Sequence, residues 1–145
     1  MNEYVKMNED LGRDKVKQLV AYLDNKNSTS TKLTFTKGEY DINDGYINDC
    51  PFDVKHRYNT ISKYNSQQIT VKKFNELVNM ALLSKAKKAY YIVHFEDDNY
   101  LIFDLLKIDK TKLDIMSGRW SKVTNAIMTN YLIPNRLGTL FNLNN

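Results

Sequence analysis

Apolar residues recur with helical spacing in two stretches of the chain. The first contains apolar residues at positions i, i+3, i+4 and i+7: Val16, Leu19, Val20 and Leu23. This pattern predicts an amphipathic helix over about residues 9–24. The second stretch, from about Thr70 to Ala86, places apolar residues on one face and polar residues on the other, and predicts a second amphipathic helix. The polar run Asn25–Thr31 predicts a loop after the first helix.

Short runs of β-branched and aromatic residues predict strands between and after these helices. Four runs precede the second helix: Leu33–Thr36, Tyr40–Ile42, Gly45–Asn48 and Pro51–Arg57. The turn-forming clusters Asn43-Asp44-Gly45 and Asn48-Asp49 separate the last three runs, which predicts a β-meander. After the second helix, Ala89–Phe95 and Tyr100–Leu106 flank a polar turn and predict a hairpin.

The segment from Asp109 onward has the weakest pattern. It contains Trp120 and predicts a short helix at Ser121–Met128 within an otherwise irregular tail over residues 109–145. The order of elements predicts an α/β (α+β) fold, in which helices flank a small central mixed β-sheet. We expect one domain over residues 1–145, with its core in about residues 33–106.

Composition narrows the class of protein. The chain has 145 residues, and its apolar runs are far shorter than the ~20 residues of a membrane-spanning helix. The N-terminus lacks the basic and apolar regions of a secretory signal. A lone cysteine, Cys50, has no partner in the chain for a disulfide. We therefore expect a cytoplasmic protein without disulfides, in the host cytoplasm if the chain is encoded by a phage.

The charge balance leaves two interpretations open. Lysine and arginine number 21 against 17 acidic residues, which gives a net charge of +4. This excess is compatible with binding to nucleic acid. The chain is also rich in lysine, asparagine and tyrosine, which A/T-rich codons encode, so the excess can equally record genome composition.

An acidic residue and a lysine share one face of a predicted strand. Asp53 and Lys55 are two residues apart, and Glu39 and Asp41 have the same spacing in the preceding strand. If these strands pair, Asp41 lies beside Asp53 and Lys55. Mg²⁺ prefers oxygen ligands, so Asp41, Asp53 and the Val54 carbonyl form a candidate metal site at a scissile phosphate.

The arrangement resembles a known family of nucleases. Glu39-Tyr40-Asp41, a hairpin, Phe52-Asp53-Val54-Lys55, an amphipathic helix and the strand AYYIVHF are similar to the core of the PD-(D/E)xK nucleases, in particular small phage or mobile-element members. The likeness covers about residues 33–106. It implies a restriction-endonuclease-like core and cleavage of DNA phosphodiester bonds that depends on Mg²⁺ or Mn²⁺.

The resemblance also implies roles for individual residues. It assigns three to catalysis: Asp41 as the first metal-binding acid, Asp53 as the second and Lys55 as the catalytic lysine. Glu39 is an alternative first acid. An acid of the first helix often joins the metal site in this family, and Glu9 and Asp14 are both candidates here.

Several basic residues near the motif are candidates for DNA binding. His56 and Arg57 follow Lys55 directly, and Lys72 and Lys73 lie at the start of the second helix, where backbone N–H groups favour anions. The same lysines also fit a solvated helix face without a function. His94 lies in an apolar strand, where a buried histidine with satisfied hydrogen bonds is expected rather than a metal ligand.

The leading hypothesis from the sequence is therefore a Mg²⁺-dependent DNA endonuclease of phage or mobile-element type. A domain of this size has little surface with which to surround a duplex, so we expect a homodimer or a larger protein assembly on DNA. One alternative is a non-catalytic DNA-binding module with the same fold. Another is an interaction or inhibitor protein that uses the acidic turn at residues 96–98.

Overall fold

The structure, a computed structural model, describes residues 3–37, 41–121 and 126–144. Two α-helices and nine β-strands occur within these ranges, in this order: α1 (Glu3–Asn27), β1 (Leu33–Phe35), β2 (Gly45–Ile47), β3 (Cys50–Arg57), β4 (Ser66–Thr70), α2 (Val71–Leu83), β5 (Tyr90–Phe95), β6 (Asn99–Asp104), β7 (Asp114–Ser121), β8 (Ala126–Pro134) and β9 (Thr139–Asn142).

Nine strands form two sheets. The larger sheet has six strands in the order β1-β2-β3-β5-β6-β9, and the smaller has the order β4-β8-β7. In the larger sheet β3 and β5 are parallel, while each other neighbouring pair is antiparallel. The chain leaves β3, forms β4 and α2, and returns to the sheet as β5. Such a crossover is what a parallel pair requires.

Helices cover opposite faces of the larger sheet, because alternate residues of each strand point to opposite sides. On one face, Leu19 of α1 packs with Phe52 and Ile92. On the other face, α2 and the smaller sheet pack against residues that include Tyr91 and Val93. Strands β3 and β5 therefore lie between two apolar cores, and a charged side chain on β3 needs a specific polar environment.

The predicted mixed α+β fold, with helices around a small mixed sheet, is confirmed. Three predictions of local structure are wrong. The tail over residues 109–145, predicted to be largely irregular, contains β7, β8 and β9. The helix predicted at Ser121–Met128 is absent from the described part of that segment, since Ser121 ends β7 and residues 126–128 begin β8. Asp41 and Ile42, predicted in a strand, precede β2 without regular structure. Residues 122–125 lie outside the described ranges.

No helix among the described residues combines the length and the apolar character needed to cross a membrane.

Candidate metal centre

A tight hairpin sets the register of the candidate site. Asn48 and Asp49 connect β2 to β3 with φ angles of 47° and 67°, which asparagine and aspartate tolerate better than most residues. This turn places Gly45 opposite Phe52. Asp44, the residue before β2, is thereby brought next to the middle of β3.

Backbone hydrogen bonds fix Asp44 beside β3. Its N–H donates to the Phe52 carbonyl at 2.9 Å, and its Oδ2 accepts from the Val54 N–H at 2.8 Å. The Asp44 side chain therefore takes the place that a backbone carbonyl would have in a longer β2. Its carboxyl group lies within hydrogen-bonding reach of the Asp53 carboxyl, a bond that requires one of the two groups to hold a proton, and the two acids form a pair.

The environment of Asp53 disfavours its charged form. Its side chain is only 17% exposed. Burial raises the pKa of the Asp53 carboxyl well above its usual range, the negative charge and hydrogen bond of Asp44 raise it further, and the ammonium groups of Lys73 and Lys55 oppose this rise. Two carboxyl groups in such contact retain a proton or take up another cation.

Asp44, rather than Asp41, supplies the carboxylate in contact with Asp53. The sequence placed Asp41 in a strand beside Asp53, but Asp41 is an exposed residue ahead of β2. The β2–β3 register begins at Gly45, so the residue that reaches Asp53 is the one directly before it. The alternative acid Glu39 lies outside the described residues.

The Val54 carbonyl faces the same edge as Asp44. In a strand, the N–H and C=O of one residue point to the same side. Since the Val54 N–H donates to Asp44, the Val54 carbonyl also points toward Asp44. Its role as a metal ligand stays a prediction.

Lys55 lies on the same face of β3 as Asp53, and part of its side chain is exposed while its neighbours exclude some water from the amine. The loss of solvent around its amine lowers the pKa of Lys55, the positive charge of Arg57 lowers it further, and Asp53 opposes this effect. Arg57 itself holds β3 against β4, because its Nη2 donates to the Gln68 carbonyl at 3.1 Å. The structure thus brings Lys55 to the acid pair and gives Arg57 a structural contact.

The two lysines at the start of α2 differ in position. Thr70 caps the helix by accepting a hydrogen bond from the Lys73 N–H at 3.0 Å. The Lys73 Nζ lies 3.8 Å from Asp53 Oδ1, and the Lys73 side chain is 29% exposed. The Lys72 side chain is 83% exposed and pairs with Glu76 at 3.7 Å. Of these two DNA-binding candidates, Lys73 joins the acid pair.

The candidate helix acids also differ. Gly12 packs against Val54, since a Cβ on Gly12 would lie 3.1 Å from Val54 Cγ1. Glu9 precedes Gly12 by one turn and is on the same side of α1, whereas Asp14 is exposed. Both acids belong to α1, which covers the face of the sheet opposite to Asp53, so neither is placed at the acid pair.

His56 lies on the face of β3 opposite to Asp53 and Lys55, which separates it from the other DNA-binding candidates. Its Nδ1 is 2.8 Å from Nδ1 of His94, and His94 Nε2 is 3.1 Å from Asp98 Oδ1. His94 is buried, as predicted, and burial lowers the pKa of both histidines. The pairing joins residues 38 positions apart, so it depends on the parallel register of β3 and β5.

The donor set fits Mg²⁺ with a small number of protein ligands. Among residues 3–37, 41–121 and 126–144, no group of three or more His, Cys, Asp or Glu side chains is placed to hold a metal ion. Mg²⁺ usually takes one or two carboxylates and completes its shell with water and phosphate oxygens. Asp44 and Asp53 provide two carboxylates in contact, and the Val54 carbonyl faces them.

We compared the chain with models of protein families, with curated proteins and with solved structures, and found no match.

Proposed function

We propose that the protein is a metal-dependent DNA endonuclease, in which Asp44 and Asp53 bind Mg²⁺ or Mn²⁺ and Lys55 acts at the scissile phosphate. The observation that carries this proposal is the contact between two carboxyl groups on the face of β3 that also bears Lys55. A largely buried acid pair is costly for a fold to maintain, because both groups lose water and repel each other when ionised. A bound divalent cation compensates both costs.

Each residue has a defined task in this proposal. The Val54 N–H holds the Asp44 carboxylate in one orientation, and the β3 strand fixes Asp53 beside it. When bound, Mg²⁺ would make a water more acidic and offset negative charge on the phosphate. The lowered pKa of Lys55 increases the fraction of neutral amine, so Lys55 is suited to accept a proton from the attacking water or to orient it.

The order of these elements supports membership of the PD-(D/E)xK superfamily. An acid lies directly before the first strand of a hairpin, an Asp-x-Lys triplet lies on the second strand, and a helical crossover leads to a parallel neighbour. In this assignment Asp44 takes the role that the sequence gave to Asp41. Lys55 and Lys73 on this side of the sheet, with Lys72 nearby, supply positive charge for a DNA backbone.

The experiment is cleavage of supercoiled plasmid and branched DNA with Mg²⁺ or Mn²⁺. We compare the wild type with Asp44→Asn, Asp53→Asn and Lys55→Ala, and use the exposed Asp49→Asn as the matched control. We expect each of the first three to lose activity by at least about 100-fold, a typical cost of disturbing a metal site or its surroundings. Asp49→Asn should cleave like the wild type.

Other outcomes separate the alternatives. Activity lost in Asp41→Asn and retained in Asp44→Asn would refute the placement of the metal at Asp44. Equal cleavage by the wild type and all variants would identify a contaminating nuclease. Binding of DNA without cleavage would favour a non-catalytic module, and no binding would favour an interaction protein. Light scattering of the DNA complex tests the predicted homodimer or larger assembly.

A further inference from the structure

Lys73 connects the first turn of α2 to the acid pair. Its Nζ lies 3.8 Å from Asp53 Oδ1 and also donates to the carbonyl of Ile42, in the segment that leads to Asp44. The Lys73 amine is thus held between the two sides of the candidate metal centre. Its neighbour Lys72 points away and pairs with Glu76 on the helix surface.

A lysine in the first turn of a helix is electrostatically unfavourable, and the acid pair compensates for this cost at Lys73. The first turn of α2 contains lysines and no acidic residue, whereas the partial positive charge of a helix N-terminus favours acids there. The attraction between the Lys73 ammonium and the Asp53 carboxylate offsets this cost. This attraction is stronger than that between Lys55 and Asp53. Lys73 is therefore the principal counter-charge of the pair in the metal-free protein.

We propose that Lys73 is a cation that a divalent metal displaces from Asp53, and that the displaced amine then binds a phosphate oxygen of DNA. This proposal rests on the proposed function, because it uses the same two carboxylates. It assigns Lys73 two successive partners, one before and one after the metal binds.

Displacement follows from the geometry. The Lys73 ammonium lies 3.8 Å from Asp53 Oδ1, so a metal ion bound to the same carboxylate would place a second positive charge close to it and repel it. The long, flexible stem of lysine lets its amine move without a change in the helix. A phosphate bound at the metal brings negative charge to this place, so the released amine has a new partner close by.

The first test measures Mg²⁺ binding by calorimetry without DNA, at about pH 8. We compare the wild type with Lys73→Met, which keeps an apolar stem and removes the charge, and with Lys73→Gln, which keeps a hydrogen-bond donor for Ile42. The control is Lys32→Met, since Lys32 forms an exposed ion pair of 4.0 Å with Asp49. We expect both Lys73 variants to bind Mg²⁺ about tenfold more tightly, the effect of about 1.4 kcal/mol, and Lys32→Met to match the wild type.

The second test measures DNA binding at saturating Mg²⁺ in a Lys55→Ala background, which prevents cleavage. Loss of the Lys73 charge should weaken binding and lower the slope of log K against log salt by about one phosphate contact. Tighter metal binding together with weaker DNA binding supports displacement. A purely structural role for Lys73 would weaken both.

Failure of this proposal is distinguishable from failure of the proposed function. Equal or weaker Mg²⁺ binding by folded Lys73→Met and Lys73→Gln, beside clear binding by the wild type, overturns only the role of Lys73. If neither the wild type nor the variants bind Mg²⁺, both proposals are wrong. Binding by the variants alone would identify Lys73 as a cation that the metal competes with, in support of the inference.

Discussion

Removal of the Asp53 charge should stabilise the metal-free protein while it abolishes metal binding. In Asp53→Asn the side chain keeps nearly the same volume, and its amide can donate to the Asp44 carboxylate without a shared proton. The variant therefore retains the hydrogen bond that joins the pair and loses the buried charge. If this substitution stabilises the protein, the charge of the native Asp53 lowers the stability of the fold.

The magnitude follows from three contributions. Two unit charges about 4 Å apart interact by about 4 kcal/mol at an effective dielectric constant of about 20. The attraction from Lys73, 3.8 Å away, therefore offsets part of the repulsion from Asp44, which is the larger of the two effects. The desolvation of Asp53 remains. Replacement of a whole buried ion pair by uncharged residues of similar volume is often neutral or stabilises by about 1–4 kcal/mol, and the part due to the carboxyl group is smaller. We expect about 1–2 kcal/mol here, because Lys73 is partly exposed and can regain water.

The stabilisation by Asp53→Asn should increase as the pH rises. The pKa of Asp53 is raised in the folded protein, mainly by burial and then by Asp44, relative to its ordinary value of 3.8. Folded protein therefore binds the proton more tightly than unfolded protein does. This contribution to stability is complete below pH 3.8 and is lost as the pH rises through the folded-state pKa. The advantage of Asp53→Asn should accordingly be largest above that pKa and vanish in acid.

Thermal unfolding followed by circular dichroism, with chelator present, tests this reasoning between about pH 4 and pH 8. At pH 8 we expect the variant to unfold about 2–8 °C above the wild type. Saturating Mg²⁺ should raise the midpoint of the wild type alone. The control Asp49→Asn, at an exposed position, should differ little at any pH. A variant that is less stable than the wild type at pH 8, or a difference that is constant with pH, would refute the argument.

Three further predictions concern the framework of the site. Gly45→Ala should lower the free energy of unfolding, measured in urea, by about 3–5 kcal/mol, because the new Cβ would lie 2.1 Å from the Thr34 carbonyl oxygen. Gly12→Ala, whose Cβ would meet only a side chain, should leave the free energy of unfolding nearly unchanged. Thr70→Ala removes the cap of α2 and should cost about 1 kcal/mol, or about 2–4 °C in midpoint. Burial lowers the pKa of His94 below 6.5, so the stability that the neutral histidine contributes is present above pH 6.5 and is lost as the pH falls. Between pH 7.5 and pH 5.5, the stability of His94→Gln should therefore decrease less than that of the wild type.

Local pattern was sufficient to predict the elements around β3. The two helices, the β2–β3 hairpin and the β5–β6 hairpin have short-range signals: an apolar stripe, a turn-forming pair, or alternating apolar runs. The smaller sheet had no such signal. Its strand β4 is the polar segment Ser66–Thr70, which pairs with Pro134–Asn130 of β8. Pairing across 60 to 68 residues, rather than local propensity, determines that segment. The helix predicted at Ser121–Met128 is overridden by a different pairing, in which residues 126–128 of β8 lie opposite residues 119–121 of β7.

Local pattern likewise predicted part of the candidate site. The Asp53 and Lys55 positions follow from alternation along one strand, which sequence alone reveals. The partner acid depends on which segment pairs with β3: the sequence predicted the strand of Asp41 beside Asp53, whereas β2, which begins at Gly45 as predicted, pairs there. The Asn43-Asp44-Gly45 cluster was interpreted only as a turn, yet Gly45 is also the residue whose missing Cβ lets β2 pack against Thr34. A glycine directly after an acid, facing an Asp-x-Lys strand, was the available signal for Asp44.

A single register relates the acid pair to the histidine pair. Asp53 and Lys55 point to one face of β3, and Val54 and His56 point to the other. The parallel alignment with β5 sets His56 opposite His94, and the hairpin sets Asp44 beside Asp53. A slip of one residue would exchange the faces, placing both charges under α1 against Leu19 and Phe35 and removing the histidine contact. The apolar contacts of Val54 with α1 therefore resist such a slip, so the α1 face helps to keep the proposed metal ligands together on the other face.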